Sequence, residues 1–292
     1  MPITRVGLVA KTRLDAAAGV LAELAGWLEA RGIAAVFETD TAALAGLPPD
    51  RVTSSRDELP LACDLLVLLG GDGTLIGMAG RIAQAQRDIP ILGVNFGSLG
   101  FLTEITLPEL YSSLESVLDG TARIDARMML RSRTLRRGRI FADRFALNDV
   151  VITKGALSRI IDLTVEIGDQ AAMHVRADGL IVASPTGSTA YNLAAGGPIL
   201  HPAVDALLVT PIAPHMLANR PIVIPGSSAV RVSPAMDGHE EVFVTIDGQS
   251  GHPLEADDVI AIQRADRPLR LVRAATRTYF EVLREKLKWS QW

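Results

Sequence analysis

One segment of the chain combines a strand pattern with a turn that could bind a phosphate and move a proton. Residues 65–69 are five consecutive aliphatic residues, and residues 70–74 read Gly-Gly-Asp-Gly-Thr. The aliphatic run is typical of a buried strand in a parallel sheet, and ligands bind at the carboxyl ends of such strands. The three glycines let a phosphate approach the backbone because they carry no Cβ. Asp72 can handle a proton or a metal there, although the sequence alone also allows it to cap the following helix.

This turn resembles the signature shared by NAD kinases, diacylglycerol-type lipid kinases and 6-phosphofructokinases. Four further blocks resemble NAD kinases alone: Asn-Phe-Gly-Ser-Leu-Gly-Phe-Leu at residues 95–102, Leu-Asn-Asp-Val-Val at 147–151, the Ser/Thr-rich block at 178–191, and Thr-Ile-Asp-Gly-Gln at 245–249. The order and spacing of these blocks also fit those of NAD kinases, from residue 5 to the C-terminal helix. The resemblance therefore favours the NAD kinase family, of the bacterial ATP-NAD kinase type.

The resemblance implies transfer of the γ-phosphoryl group of ATP to the 2′-hydroxyl of the adenosine ribose of NAD, producing NADP and ADP. Phosphoryl transfer needs charge neutralisation, in-line positioning and an acceptor for the hydroxyl proton. By resemblance Asp72 is the catalytic residue, a role worth roughly two to four powers of ten, with a metal-orienting role as the alternative. Mg²⁺ or another divalent cation is expected with ATP, and the sequence identifies no protein ligand for it.

The resemblance also implies a set of nucleotide-binding residues. They are Gly71, Gly73, Phe101, Asn148, Asp149, Arg159, Arg176, Asp178, Thr186, Thr189, Ala190, Tyr191, Asn192, Leu193, Ala194 and Gln249. Asp178 is expected at the nicotinamide end, and an Arg at position 176 accompanies the use of ATP and oxidised NAD in the family. The chain departs from the family at Asp149, where Glu is more frequent, and at Arg159, where some relatives have His.

The residues by themselves leave simpler interpretations open. The Asn148-Asp149 pair could be a bulge or turn in a strand, and Gln249 could belong to an ordinary hairpin after Asp247-Gly248. Residues 184–189 could be a plain loop or could cap a short helix at about 189–195. Arg176 could simply be a solvated side chain on a strand. Tyr191 could stack on a ring or pack in the core.

The elements that position these residues alternate between strand and helix in the first third of the chain. Strands are predicted at residues 6–10, about 33–37, 65–69 and 91–94, and helices at about 20–28, 75–87 and 108–119. Residues 41–60 carry three prolines and no clear period, which predicts a mobile connection. The alternation predicts a doubly wound parallel α/β domain.

Beyond Gly120 the pattern changes to short strands with period-two alternation. Examples are residues 160–167, 229–233, 242–246 and 259–263. They predict an antiparallel, β-sandwich-like domain, and the resemblance implies that this domain binds the dinucleotide. A final helix with an apolar face is expected to return to the first domain. The predicted domains are residues 1–122 with 276–292, and residues 123–275.

Composition excludes several classes of function. The chain has 33 acidic and 29 basic residues, and its net charge of −4 provides no excess of positive charge to attract nucleic acid. The single cysteine, Cys63, suits a reducing cytoplasm. The apolar run at residues 6–10 is too short for a signal peptide, and no uncharged apolar stretch reaches about 18 residues. A cytoplasmic protein without a membrane partner is expected, and the resemblance implies a homodimer or homotetramer.

Two other functions remain as alternatives. A lipid kinase would share the glycine turn, but residues 184–191 and the lack of an obvious basic membrane patch argue against it. A dinucleotide sensor without turnover could keep the binding residues, but the presence of Asp72 argues against that. The sequence also has no P-loop motif and no metal-ligand spacing among its five histidines.

Overall fold

The computed structural model describes residues 2–47, 53–155, 160–216, 218–236 and 241–289. The chain divides into two compact units, each with its own core. Unit 1 comprises Met1–Ala126 and Leu269–Trp292, and unit 2 comprises Arg127–Pro268.

The N-terminal part of unit 1 alternates strands and helices. Its strands are β1 (Arg5–Ala10), β2 (Ala34–Glu38), β3 (Thr53–Ser54), β4 (Leu65–Gly70), β5 (Pro90–Asn95), β6 (Ile105–Thr106) and β7 (Ile124–Arg127). Its helices are α1 (Ala17–Glu29), α2 (Thr39–Leu44), α3 (Leu59–Ala62), α4 (Asp72–Gln84) and α5 (Leu110–Leu118), the last preceded by a 3-10 turn at Leu107–Glu109. Every residue of β4 is buried, as expected for a strand covered on both faces.

The segment predicted as a mobile connection instead contains α2, β3 and α3, so that prediction is wrong for its described part. The Glu38 side chain accepts a hydrogen bond from the backbone N–H of Thr41 and so caps α2. Pro60 lies in the first turn of α3, where a missing N–H has no cost. Pro60, which breaks the periodic pattern of the sequence, thus lies at the start of a helix. Residues 48–52 lie outside the described part of the chain.

Unit 2 is built from strands. They are β8 (Leu130–Arg136), β9 (Arg139–Ala146), β10 (Asp149–Lys154), β11 (Ile161–Ile167), β12 (Gln170–Ala177), β13 (Gly179–Ala183), β14 (Ala206–Ile212), β15 (Ile222–Pro225), β16 (Val230–Ala235), β17 (Val242–Ile246), β18 (Ser250–Pro253) and β19 (Val259–Arg264). A 3-10 turn at Thr186–Thr189 precedes the single helical turn α6 (Tyr191–Ala194). The chain then returns to unit 1 with β20 (Leu269–Val272) and α7 (Tyr279–Leu287).

The sheet topology confirms the predicted fold class. In unit 1 the strand order is β3-β2-β1-β4-β5-β20-β7, with β6 beside β5, and β1, β2, β4 and β5 pair in parallel. In unit 2 two antiparallel sheets have the orders β15-β14-β13-β10-β17-β18 and β12-β11-β16-β19-β8-β9. Both sheets contribute to one core, because Val150 and Leu180 of the first pack in the same cluster as Leu163 and Ile260 of the second. Unit 2 is therefore a β-sandwich.

Candidate active site

Asp72 lies at the carboxyl edge of the parallel sheet in unit 1, where β4 passes into α4. Gly70 ends the strand, Gly71 is extended and precedes the helix, and Asp72 is the first helical residue. The prediction that this helix begins at residue 75 is wrong by three residues. An Asp in the first turn is favourable because the helix N-terminus carries partial positive charge, and this outweighs the low helix propensity of Gly73.

The Asp72 carboxylate receives four hydrogen bonds from one loop. The backbone N–H of Phe101 donates to Oδ2 over 2.7 Å, and the N–H groups of Leu102 and Thr103 donate to Oδ1 over 3.1 and 2.9 Å. The hydroxyl of Thr103 also donates to Oδ1, over 2.9 Å. The donors thus come from residues 101–103 and not from α4, so the side chain holds a loop instead of capping its own helix.

The glycines around this carboxylate have two different surroundings. A Cβ added at Gly100 would overlap Asp72 Oδ1 and the hydroxyl of Thr103, so no side chain fits there. A Cβ at Gly71 or Gly73 would meet no described atom within 4 Å. One side of Asp72 is therefore closed by the loop, and the backbone of the turn itself is open to an approaching group.

Residues that precede this loop border a cavity. Its volume is about 360 Å³, and Asn95, Gly97, Leu99 and Arg277 are among its lining residues. Arg277 is held there by a hydrogen bond from its guanidinium to Glu109 Oε2 over 3.1 Å. A cavity of this size is in the range that small-molecule ligands occupy.

Unit 2 contains a second carboxylate that holds three consecutive amides. Asp247 Oδ2 accepts from the N–H of Leu147 over 2.8 Å, and Oδ1 accepts from those of Asn148 and Asp149 over 2.8 and 3.0 Å. Asp247 itself lies in the tight turn between β17 and β18, with φ of 52°. Asp tolerates this left-handed conformation better than most residues. From the sequence, Asp247 is predicted only as part of a hairpin, and nothing local indicates its contact with these three amides.

The Asn148-Asp149 pair is consequently fixed through its backbone. Besides the bonds to Asp247, the carbonyl of Asn148 accepts from the N–H of Ser184 over 2.9 Å. A Cβ at Gly187 would overlap that same carbonyl, so residues 184–187 lie directly against Asn148. Within the part of the chain that is described, the Asn148 side-chain amide makes no hydrogen bond, so it is available to a ligand.

Asp149 is buried and close to Asp247. Only 4% of its surface is exposed. Burial, and then the charge of Asp247, raises the pKa of Asp149 from its ordinary 3.8 to about 7. Burial also raises the pKa of Asp247, although its three amide bonds act in the opposite direction. Both pKa values are therefore raised above the range of exposed carboxylates.

The predicted helix at residues 189–195 is replaced by two shorter pieces. The 3-10 turn ends at Thr189 and α6 begins at Tyr191, because Ala190 has a ψ of −132° that no helix contains. Asn192 is fully buried: its Nδ2 donates to the carbonyl of Ser188 and its Oδ1 accepts from the hydroxyl of Thr210. Its side chain thus braces this turn, and its contact with the dinucleotide stays a prediction.

The other predicted binding residues of this segment differ in exposure. Tyr191 is 45% exposed, which excludes a role in the core. Thr189, Ala190 and Leu193 are half-buried, and Ala194 is exposed. Thr186 is buried, and its hydroxyl has no hydrogen-bond partner among the described residues.

Arg176 and Asp178 lie near the junction of β12 and β13. Arg176 is opposite Asp162 in the register of β11 and β12, with its Nε 3.9 Å from an Asp162 oxygen. Asp178 is paired with Lys154, whose Nζ lies 3.5 Å from Oδ1. Gln249 closes the β17–β18 turn by donating its N–H to the carbonyl of Ile246. Arg159 lies outside the described residues.

Among the described residues, no group of three His, Cys, Asp or Glu side chains is placed to hold a metal ion. No helix in the described ranges is long and apolar enough to cross a membrane.

Comparisons with known proteins cover nearly the whole chain. Residues 6–122 match the model of the ATP-NAD kinase N-terminal domain, and residues 147–274 match that of the C-terminal domain. The NAD kinase of Geotalea daltonii is 48% identical over 287 residues, 98% of this chain and 99% of the relative. That of Solibacter usitatus is 43% identical over 296 residues and the full length of both chains.

Solved structures give the same result. Yeast NADH kinase complexed with NADH superposes with a TM-score of 0.90 at 26% identity, covering 100% of this chain and 89% of the yeast chain. An Archaeoglobus fulgidus NAD kinase in complex with ATP shares the fold, with a TM-score of 0.74 at 23% identity over 97% and 98% of the two chains. With both domain models matched in order and full-length relatives above 40% identity, this chain belongs to the NAD kinase family.

Proposed function

We infer that this protein is an NAD kinase, which transfers the γ-phosphoryl group of ATP to the 2′-hydroxyl of the adenosine ribose of NAD and yields NADP and ADP. The observation that carries this inference is the match of both family domains, with Asp72 held at the carboxyl edge of the parallel sheet. Yeast NADH kinase was solved with NADH, and the Archaeoglobus enzyme with ATP. Both ligands belong to the substrate classes of the proposed reaction.

In this reaction Asp72 is the proposed base. Its carboxylate accepts a hydrogen bond from the 2′-hydroxyl and takes the proton as the bond from oxygen to the γ-phosphorus forms and ADP leaves. Four donors from residues 101–103 hold the carboxylate in one orientation. Such fixed geometry supports a base, because proton transfer requires the acceptor within hydrogen-bond distance of the hydroxyl.

NAD binding is proposed to involve residues of unit 2. The Asn148 amide offers both a donor and an acceptor, and its backbone is held in place by Asp247 and Ser184. Asp149, with a pKa raised to about 7, can present either a hydroxyl or a carboxylate to a ribose or base. The remaining binding residues, from Arg176 to Gln249, are proposed on the family resemblance.

Mg²⁺ is proposed to arrive with ATP as part of the substrate. An ion that enters with ATP is held mainly by phosphate oxygens and water. The hydrogen bonds already made by Asp72 also leave little of its carboxylate for a metal. The ion neutralises phosphate charge during the transfer.

Incubation of the purified protein with ATP, Mg²⁺ and either NAD or NADH tests the activity and the substrate form. The expected product is NADP, identified by an NADP-specific dehydrogenase, with NADH used more slowly because Arg176 accompanies oxidised NAD in the family. No phosphorylated dinucleotide from either substrate, in a protein that still binds NAD, contradicts the proposal. A parallel reaction with EDTA tests the requirement for the divalent ion.

The assembly is proposed from the family, and the location and partners from the composition of the chain. We expect a homodimer or homotetramer in the cytoplasm, without a nucleic acid or membrane partner. Size-exclusion chromatography with light scattering measures the oligomeric state, and a monomer at micromolar concentration contradicts the expected homodimer or homotetramer.

A further inference from the structure

We propose that Thr103, held in turn by Asn95, is a positioning residue that keeps Asp72 oriented so that Oδ2 receives the proton of the 2′-hydroxyl. This inference rests on the proposed role of Asp72 as base. It names two residues outside the predicted catalytic and binding set, and it names the oxygen atom of Asp72 that reacts.

Thr103 contacts Asp72 twice and is completely buried. Its backbone N–H and its hydroxyl each donate to Asp72 Oδ1 over 2.9 Å. Its exposed fraction is zero, so water does not replace the hydroxyl when it is lost. The side chain lies at the end of the loop whose other amides hold the same carboxylate.

Asn95 determines the direction of the hydroxyl bond. Its Nδ2 lies 2.8 Å from the carbonyl of Ser98, 3.3 Å from the carbonyl of Thr103 and 3.1 Å from the hydroxyl oxygen of Thr103. Its Oδ1 accepts from the N–H of Gly97 over 2.6 Å. Carbonyl oxygens only accept, so the group that faces them must be the NH₂ and the amide has one possible orientation.

The consequence is a polarised chain of hydrogen bonds. Because Asn95 donates to the hydroxyl oxygen of Thr103, the hydroxyl hydrogen points away from Asn95 and towards Asp72. A hydroxyl without this constraint could rotate and present its lone pairs to the carboxylate instead. This chain of hydrogen bonds therefore fixes the Thr103 hydroxyl as a donor to Asp72 Oδ1.

The count of donors then distinguishes the two carboxylate oxygens. Oδ1 receives three hydrogen bonds and Oδ2 receives one. A carboxylate has about four favourable acceptor positions, two on each oxygen. The one remaining position is on Oδ2, and this is where the 2′-hydroxyl donates its hydrogen bond and then its proton.

Replacement of the hydroxyl by a methyl group, Thr103→Val, tests the proposal. The variant keeps the shape and the backbone amide but loses the hydroxyl donor to an ionised group, and we expect kcat to fall about 10- to 100-fold. The KM values for NAD and ATP should change less than about threefold, because Thr103 does not touch substrate. Thr103→Ser keeps the donor and should restore kcat to within about threefold of the parent. Thr103→Ala replaces the valine variant where the latter does not fold.

Thr41→Val is the matched control within unit 1. The hydroxyl of Thr41 also donates to a carboxylate, Glu38 Oε2 over 2.6 Å, and Thr41 is 1% exposed. Thermal unfolding should detect destabilisation in both valine variants, whereas only Thr103→Val should lower kcat. An equal loss of kcat in both variants would reduce Thr103 to a general packing role and overturn the proposal.

A double-mutant cycle with Asp72→Asn separates this inference from the proposed function. If Thr103 acts through Asp72, adding Thr103→Val to the Asp72→Asn variant should cause no further loss of kcat. Full activity of Thr103→Val, beside an inactive Asp72→Asn variant, overturns the positioning role and leaves the base assignment intact. Full activity of Asp72→Asn overturns the base assignment and, with it, the inference.

Discussion

Asp72 in unit 1 and Asp247 in unit 2 hold their neighbouring loops with the same pattern of hydrogen bonds. In each case the first of three consecutive amides donates to Oδ2 and the next two donate to Oδ1, from residues 101–103 and 147–149 respectively. The two units differ in the group that is proposed to contact the substrate. In unit 1 this group is the carboxylate itself, and in unit 2 it is the side chains of the residues whose amides the carboxylate holds.

The surroundings explain this division. Asp72 has a fourth donor, the hydroxyl of Thr103, and lies beside glycine backbone that is open to a ligand. Asp247 has a pKa raised by burial and a second carboxylate, Asp149, close by. Under the proposed roles, the same local geometry orients a reactive group in one unit and fixes a binding turn in the other.

Asp72→Asn should have the largest effect. The amide cannot accept the hydroxyl proton, so kcat should fall by roughly two to four powers of ten. Its NH₂ group would face the N–H of Phe101, a local mismatch that leaves most of the fold intact. Steady-state kinetics and NAD titration by calorimetry measure the two quantities. Turnover within about threefold of the parent, with normal binding, refutes the base.

Gly100→Ala should have the next largest effect. The added Cβ overlaps Asp72 Oδ1, so either the loop or the carboxylate must move, and a misplaced base costs on the order of 100-fold in kcat. Gly19→Ala is the control, because this exposed position in α1 has open space around it and alanine favours the helix. If Gly100→Ala retains full kcat, the close contact between loop and carboxylate is not needed for the reaction.

Asp149→Asn should change the dependence of stability on pH. The folded pKa of about 7 exceeds the ordinary 3.8, so the folded protein binds more protons than the unfolded chain between these values. The Asp149 carboxyl therefore contributes less to stability as pH rises from about 4 to 7, and the variant lacks this contribution. The difference should grow by about 2 kcal/mol between pH 5 and 7, measured by urea unfolding.

Asp143→Asn provides a control of opposite sign. Hydrogen bonding to Arg131 lowers the pKa of Asp143. This carboxylate therefore stabilises the fold at pH values above its ordinary pKa, and that stabilisation is lost as pH falls. Its replacement should therefore cost stability at pH 7 and less at pH 4. Parallel pH profiles for the Asp143 and Asp149 variants would contradict the assignment of the raised pKa to Asp149.

Asp247→Asn should have the smallest effect on the reaction. It is the same chemical change as Asp72→Asn, made in the second carboxylate, and it weakens the hold on the amides of residues 147–149. The KM for NAD should rise about tenfold, while kcat at saturation stays within about threefold. A loss of kcat as large as that of Asp72→Asn would remove the distinction between the two units.

The sequence predicts much of this molecule because its strongest signals are local. The aliphatic run before Gly70 and the period-two pattern beyond Gly120 correctly predict a parallel sheet followed by antiparallel sheets. The start of α4 is misplaced because a propensity argument treats Gly71 and Gly73 as breakers, whereas one is the cap and the other lies in the first turn.

The supporting contacts could not be predicted in this way. Thr103 reaches Asp72 across 31 positions, and Asp247 reaches Leu147 across 100. Such pairs exist only after the sheets have formed, and a Thr or an Asp in a turn has many ordinary explanations. The helix offered for residues 189–195 is shorter, Tyr191–Ala194, because the backbone of Ala190 interrupts it. The hydrogen bond from Thr210 to Asn192, which braces this turn, likewise comes from a distant strand.

A crystal structure of the protein with NAD is the most direct test of Asp72 as the base. The 2′-hydroxyl oxygen should lie about 2.6–3.2 Å from Asp72 Oδ2 and farther from Oδ1, with the bonds from residues 101–103 intact. A 2′-hydroxyl beyond hydrogen-bond distance of both oxygens, or bound to Oδ1 in place of Thr103, would contradict it.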